Sequence, residues 1–322
     1  MSQLAYQHDR PPAQSVAESV IEEIWFGVDD IDSAEDRAHE SLSASVARIS
    51  GLKTFPVVAQ KVIEALDDPE FSVGEIERLF RSDAALALRL LRVANSPLFG
   101  FPKPCKDLTD AFMRLGADGV QELVIMAASR YLFDNKRGRK MALRDHCASV
   151  ASLAHSLGEH RTFSEPHKLF LGGLLHDVGK FLFIQSGELE YRALGCGPTV
   201  AADRVHTKEQ DAVGFHHGVL GARMLDEWKL PHAVVETVAW HHNPARAYQA
   251  GGDTALRVAV VRCANQLDYR LQRGEAWNEP AMSALCETAD FAQAAVSVAE
   301  LRESWEDLLE HRADTLRLFG KK

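Results

Sequence analysis

The sequence of 322 residues has little of what marks several classes of protein. Its five cysteines are widely spaced, odd in number and without a C-x-x-C pair, so neither a disulfide framework nor a zinc knuckle is expected. It contains no run of about 18 uncharged apolar residues, the length that a membrane-spanning helix needs. Its N-terminus lacks the basic start and apolar stretch of an export signal. These absences predict a cytoplasmic protein that does not enter the membrane.

Basic residues are outnumbered by acidic ones. The chain has 36 Lys and Arg against 46 Asp and Glu, a net charge of −10. Because an acidic surface repels phosphate backbones, nucleic acid is not an expected partner. No Walker loop and no G-x-S-x-G elbow is present, which removes two common catalytic classes. The hydrophobic share of 46% is nevertheless that of an ordinary folded chain, long enough for one large domain or two coupled ones.

Hydrophobic spacing along the chain is typical of helices, and strand alternation is scarce. In the first part, residues 72–75 form a capping-box pattern and residues 86–94 an apolar stripe, which Asn95-Ser96-Pro97 ends because proline cannot continue a helix. We interpret Asn95 and Ser96 as this helix stop rather than as ligand contacts. Further helices are predicted at about 141–160, 165–176, 207–228, 231–242 and 254–271. A long amphipathic helix is predicted around Trp305, docking on the protein's own core or on a second subunit.

A polar, glycine-containing break at residues 134–140 is the predicted boundary between two helical halves. We therefore expect four regions. They are an N-terminal extension at 1–44, an N-terminal helical half at 45–135, a second helical half at 136–272 and a C-terminal helical appendix at 273–322.

Histidine is concentrated in one part of the chain, with 11 of 14 between positions 146 and 242. Imidazole and carboxylate ligands together suit iron, manganese, zinc or magnesium. The most informative string, residues 172–180, contains His176-Asp177 near a predicted helix end, followed by Gly179 for a backbone turn and by Lys180. Asp177 is placed to bridge two ions, and Lys180 to meet a phosphate or to pair with a ligating carboxylate.

Further histidine and aspartate residues fall on separate predicted helices, which can converge on one cavity as in metal sites of helix bundles. They are His146, His217, His241-His242 and Asp268. The order His, His-Asp, His, His-His, Asp resembles that of the HD superfamily of metal-dependent phosphohydrolases.

The upstream segments narrow this resemblance to the HDOD domain, a signalling branch of that superfamily. The matching segments are Phe55-Pro56, residues 82–86, 89–96 and 111–116, and later 214–222 and 228–231. Together they cover about residues 45 to 271. The resemblance implies an all-α fold, an N-terminal helical bundle packed on an HD-like helical domain, and regulatory action through protein partners.

The resemblance also implies a ligand set for one or two divalent ions. These residues are His146, His176, Asp177, His217, His241, His242 and Asp268. The sequence departs from the cyclic-dinucleotide phosphodiesterase branch after His242, where Gly-Tyr-Pro is missing, which puts cyclic di-GMP hydrolysis in question. His216 stands where an aspartate is usual, and Ala84 where a proline is. The remaining histidines of the cluster have no place in the matched order and are not expected to be ligands. They are His155, His160, His167, His206 and His232.

The sequence thus predicts a cytoplasmic signal-transduction protein that acts through other signalling proteins and retains a His/Asp metal site. The alternative is a metal-dependent phosphohydrolase acting on a nucleotide or cyclic dinucleotide, in which Asp177 and Lys180 take part in catalysis. A third interpretation is a metal-free sensor whose cleft binds a nucleotide without cleaving it.

Overall fold

The computed structural model describes residues 34–50, 55–68, 70–133, 138–159, 166–191, 194 and 205–320. Throughout these residues the secondary structure is helical, without a strand, so the all-α prediction is confirmed. The first part contains α1 (Ala34–Ser50), α2 (Val57–Leu66), α3 (Val73–Arg81), α4 (Ala84–Ala94) and α5 (Leu108–Phe133). The second contains α6 (Gly138–Glu159), α7 (Pro166–Leu175), α8 (Val178–Ser186), α9 (Val205–Val213), α10 (His217–Glu227), α11 (His232–Trp240), α12 (Ala245–Ala250) and α13 (Gly252–Gln272). Then follow α14 (Glu279–Cys286), α15 (Ala289–Gln293) and α16 (Val298–Phe319).

Local capping explains where the first helices begin and end. Ser72 caps α3 by accepting the Glu75 backbone N–H, and Asp83 caps α4 in the same way. Asn95 ends α4, and its side-chain amide bonds the carbonyl oxygens of Leu91 and Cys105 at 2.8 and 2.9 Å. The helix stop predicted at Asn95 is therefore confirmed, and this side chain also holds the following loop.

The two helical parts share one hydrophobic core. Phe133 at the end of α5 packs on Phe181 of α8 with ring centroids 4.8 Å apart, and Phe55 stacks on Trp228 at 5.0 Å. The predicted bundle packed on an HD-like part is thus present. Residues 1–33 and 134–137, on which the predicted extension and boundary partly fall, lie outside the described residues, and the four regional limits stay predictions.

One predicted helix, 207–228, is wrong. The chain forms α9 and α10 instead, because Gly214 adopts a φ of 90° and breaks the helix between them. His216 then caps α10 by accepting the Gly218 backbone N–H. The break turns the start of α10 back toward α9, so that Glu209 on α9 contacts His217 on α10.

The C-terminal helix α16 docks on the protein's own core. It begins with a capping box between Ser297 and Glu300 and buries Leu301, Trp305 and Leu308, and it packs along α6. Among the helices of the described residues, none is long and apolar enough to cross a membrane.

Candidate metal centre

The His176-Asp177 pair lies in the short turn between two buried helices. Helix α7 ends at Leu175 and α8 begins at Val178, so both side chains project from the junction. Gly179 is required here by close packing and not by the backbone turn that the sequence suggested. A Cβ atom at Gly179 would lie 2.0 Å from the backbone oxygen of His217. The first turn of α8 is therefore held directly against the first residue of α10.

Asp177 lies between two groups of histidines, and each of its carboxylate oxygens faces one group. The groups are Asp177, His217, His241 and His242, and His146, His176 and Asp177. Oδ1 lies 3.0 Å from Nε2 of His217 and 4.0 Å from Nε2 of His241. Oδ2 lies 3.6 Å from Nε2 of His146 and 3.5 Å from Nε2 of His176. Six of the seven predicted ligand residues thus lie in these two groups, which share Asp177.

Backbone carbonyls orient two of these imidazoles. Nδ1 of His176 donates to the carbonyl oxygen of Gly173 at 2.7 Å, and Nδ1 of His241 donates to that of Val238 at 2.6 Å. A carbonyl oxygen only accepts hydrogen bonds, so Nδ1 carries the proton in each ring. Burial lowers the pKa of His176 to about 4 and that of His241 well below its ordinary value. Both rings are neutral at pH 7, with the Nε2 lone pair directed into the site.

Buried carboxylates orient two further imidazoles. Nδ1 of His146 donates to Oδ2 of Asp268 at 2.7 Å, and Nδ1 of His217 donates to Oε2 of Glu209 at 2.6 Å. Burial alone would lower the pKa of His217, but the Glu209 carboxylate outweighs it and raises that pKa. Rings held through Nδ1 by a carboxylate or carbonyl are the usual arrangement of metal-binding histidine.

The Nε2 atoms of the site fit a cation better than they fit one another. Nε2 of His217 lies 3.3 Å from Nε2 of His241 and 2.8 Å from Nε2 of His242. On the other side of the carboxylate, the buried Nε2 atoms of His146 and His176 have no hydrogen-bond partner among the described residues. Buried nitrogens without a partner are costly. A divalent ion accepts these lone pairs, so the donor set fits one.

Lys180 lies against Asp177 inside the protein. Its Nζ is 2.8 Å from Oδ2 of Asp177, and both side chains are buried. Burial would raise the pKa of Asp177, but the Lys180 ammonium and the neighbouring histidines hold it well below its usual range. Of the two roles predicted for Lys180, the structure thus shows the pairing with a carboxylate.

Asp268, the seventh predicted ligand, lies behind His146 and outside the two groups. Its Oδ2 accepts from His146 and Gln272, and its Oδ1 from Ser149 and Arg312. With both oxygens bonded in this way, Asp268 holds the His146 ring rather than facing the point on which the Nε2 atoms converge.

The sequence did not reveal two other members of the site. Glu209 is fully buried, and its Oε2 also accepts the His217 backbone N–H at 2.9 Å. The His206 ring, which was not expected to be a ligand, stacks on the His242 ring with centroids 4.3 Å apart. Three other histidines that were not expected to be ligands lie away from the site. His155 stacks on His167, and His232 pairs with Glu236. His160 lies outside the described residues.

Comparison with known proteins gives the same family as the motifs. The HDOD domain model matches residues 52–244. An uncharacterised protein of Treponema pallidum is 28% identical over 211 residues, which are 63% of this chain and 40% of that protein. The chain therefore spans less than half the length of this curated relative.

Solved structures show the same fold. An HDOD domain protein of unknown function from Geobacter sulfurreducens has a TM-score of 0.64 at 23% identity, covering 88% of this chain and 99% of that one. A candidate phosphohydrolase from Shewanella amazonensis has a TM-score of 0.67 at 19% identity, covering 86% and 98%. A candidate signal transduction protein from Marinobacter aquaeolei has a TM-score of 0.58 at 18% identity, covering 93% and 68%. With a family match over more than half of its length, the chain belongs to the HDOD domain family.

Proposed function

We propose that this HDOD protein is a signalling protein that acts through protein partners and binds divalent metal at the His/Asp centre. The observation that carries the metal site is the position of Asp177, whose two oxygens face two separate groups of Nε2 atoms. One ion fits each side, with Asp177 shared between them. The ligands on one side are His217, His241 and His242, and on the other His146 and His176.

The chemistry of the proposed ligands narrows the choice of metal. Five imidazoles and one carboxylate form the proposed ligand set, and no thiolate takes part. Imidazole-rich sites suit iron and zinc, whereas magnesium prefers oxygen ligands and water. Of the four metals that the sequence suggested, iron and zinc therefore fit this centre best.

Elemental analysis tests this proposal directly. The protein is purified without a metal-affinity column or chelator, beside His176→Ala and Asp177→Ala variants and a His232→Ala control, whose imidazole is 40% exposed and pairs with Glu236. We expect stoichiometric iron, zinc or manganese in the native protein and the control, and a large loss in the two site variants. Metal-free native protein that is fully folded and does not take up added metal would overturn the proposal.

Action through partners is supported by the family and by the exposed apolar side chains. Val57, Leu88 and Met113, all in the first helical part, are 59%, 61% and 82% exposed. Single exposed apolar side chains are common on protein surfaces, whereas a contiguous patch of them marks an interface, and we propose that these three contribute to one. Replacing Leu88 and Met113 by glutamate should abolish a signalling phenotype of the gene while leaving folding and metal content unchanged. An unaltered phenotype would count against partner binding by this surface.

A second candidate function, metal-dependent phosphohydrolysis, is favoured by the shared carboxylate between two groups of ligands, which is typical of two-metal hydrolytic sites. A divalent ion there would polarise a phosphoryl oxygen. The half-buried His242 and His206 form the side of the centre nearest the surface, where a nucleotide or cyclic dinucleotide would approach. Lys180 lowers the pKa of Asp177 and so keeps this carboxylate ionised at neutral pH.

Turnover assays separate this candidate from a purely regulatory role. Metal-loaded protein is incubated with nucleotides, cyclic dinucleotides and a chromogenic phosphodiester. Hydrolysis that Asp177→Ala abolishes without loss of helicity would establish the enzyme. Hydrolysis retained in that variant would exclude the mechanism.

A further inference from the structure

The C-terminal helix α16 reaches the candidate metal centre from outside the region that matches the family. The match ends at residue 244, whereas α16 spans Val298–Phe319. From this helix Arg312 contacts the buried Asp268 through two nitrogens, Nη2 at 3.1 Å and Nε at 3.3 Å. Its Nε also donates to Ser149 on α6. The appendix thus places a cation on a carboxylate that holds a histidine of the centre.

Asp268 needs this cation. Its side chain is fully buried, and an unpaired buried carboxylate is strongly disfavoured. Ser149 and Gln272 donate hydrogen bonds to it without carrying charge. The Arg312 guanidinium supplies positive charge, and its contact to Oδ1 leaves Oδ2 directed at Nδ1 of His146. The chain of contacts runs from α16 through Asp268 to the ring of His146.

The two groups of proposed ligands on either side of Asp177 depend unequally on this series of contacts from Arg312. His146 belongs to the group on Oδ2, and the contact of Asp268 with its Nδ1 helps to direct Nε2 there. On the Oδ1 side, His217 is held by Glu209 and His241 by the Val238 carbonyl. Arg312 makes neither of these contacts. Removal of Arg312 should therefore disturb one side of the centre and spare the other.

We propose that Arg312 is a positioning residue by which the C-terminal helix sets the affinity of the His146–His176–Asp177 group for its metal ion. This inference rests on the metal site proposed above. It makes α16 a part of the centre and not only a helix that completes the core. Loss of a partner that orients a metal ligand typically lowers metal affinity 10- to 100-fold.

The test is a titration of metal-free protein with Mn²⁺, following free Mn²⁺ by its electron paramagnetic resonance signal. Arg312→Ala is compared with wild type and with Arg317→Ala, a control on the same helix whose arginine is 71% exposed and pairs with Asp314. We expect two ions in wild type and in the control. In Arg312→Ala, one ion should bind up to about 10-fold more weakly, the lower end of that range because Arg312 acts on His146 through Asp268, and the other ion should bind unchanged.

Chemical rescue separates positioning from general support of the fold. Arg312 lines an open cavity of about 500 Å³ together with His146 and Gln272, so a small ion can enter the space that its side chain leaves. Guanidinium, at concentrations far below those that unfold the protein, should restore the weakened ion in Arg312→Ala. Equal concentrations of urea or sodium chloride should not, because neither supplies a planar cation.

The possible outcomes distinguish a failure of the proposed role of Arg312 from a failure of the proposed metal site. Wild type that binds no Mn²⁺ contradicts the metal site itself. Wild type that binds Mn²⁺, with Arg312→Ala binding it identically, overturns the role of Arg312 alone. Equal weakening of every ion, or weakening that guanidinium does not reverse, would assign Arg312 a merely structural role and also overturn the inference.

Discussion

At the scale of single residues, the candidate centre depends on groups that lie outside the two sets of proposed ligands. Glu209 binds both the backbone N–H and Nδ1 of His217 through one oxygen, and its second oxygen accepts the Tyr191 hydroxyl at 2.7 Å. Burial would raise the pKa of Glu209, but His217 lowers it, so the carboxylate stays charged. A charged, fully bonded carboxylate fixes the ring more firmly than a neutral acceptor would.

Glu209→Gln should weaken metal binding while the helices stay folded. The amide removes the negative charge that holds the His217 ring through Nδ1, so we expect metal affinity to fall about 10- to 100-fold. Glu236→Gln is the control, because Glu236 is a partly buried carboxylate that also pairs with a histidine, His232, but outside the centre. Equal metal affinity in Glu209→Gln and wild type would contradict this role.

Sequence patterns located the ligands but not the residues that hold them. His176-Asp177 and the later histidines follow a recognisable order, whereas Glu209 is one of two acids on α9, and no pattern distinguishes it from Asp211. It reaches His217, eight positions later, only because Gly214 breaks the chain between α9 and α10. Arg312 lies 44 positions from Asp268, and no local pattern connects them. Such contacts are set by tertiary packing, which a single sequence does not display.

At the scale of helices, the centre requires α8 and α10 to touch without an intervening side chain. Gly179 provides this contact against the His217 backbone. The helix ends were predictable where capping residues or prolines mark them, as at Asn95 and before α7 and α11. The break at Gly214 was not, because the polar and apolar spacing on its two sides continues one helical pattern.

Gly179→Ala should destabilise the protein and disrupt the centre together. Its Cβ would lie 2.0 Å from a backbone oxygen, so α8 and α10 must separate, and overpacking of this kind costs about 1–3 kcal/mol or more. Gly74→Ala on α3 is the control, since its Cβ meets nothing within 4 Å and alanine favours a helix by about 1 kcal/mol. Urea denaturation measures both. A Gly179→Ala variant as stable as wild type would contradict the close packing.

At the scale of the whole molecule, buried neutral histidines tie stability to pH. Burial lowers the pKa of His176 to about 4, that of His216 to about 3 and that of His167 to about 4. The unfolded chain takes up these protons near pH 6.5, before the folded protein does. Their stabilising effect is therefore present above pH 6.5 and is lost as the pH falls toward 4. His217 and His232, whose pKa values are raised, act in the opposite sense but are fewer.

The metal-free protein should accordingly lose stability between pH 6.5 and pH 4. For His176 alone, the shift from 6.5 to about 4 corresponds to about 3 kcal/mol. Urea unfolding at a series of pH values measures the effect. His167→Gln, which removes a half-buried histidine outside the centre, should make the pH dependence shallower without changing metal content. A free energy of unfolding that is constant over this range would contradict the buried, neutral state of these rings.

The contact between Lys180 and Asp177 makes the two sides of the centre unequal before any ion arrives. The ammonium is bound to Oδ2, the oxygen that faces His146 and His176, whereas Oδ1 lies 3.0 Å from Nε2 of His217, a nitrogen that can lose its proton and bind an ion. An ion on the Oδ1 side has to displace only a histidine proton, but one on the Oδ2 side has to share its oxygen with a fixed positive charge. We therefore expect stepwise loading, with a singly occupied form that persists over a range of metal concentrations. Such a form allows two different metals to bind to one protein molecule, and Lys180 determines which side binds first.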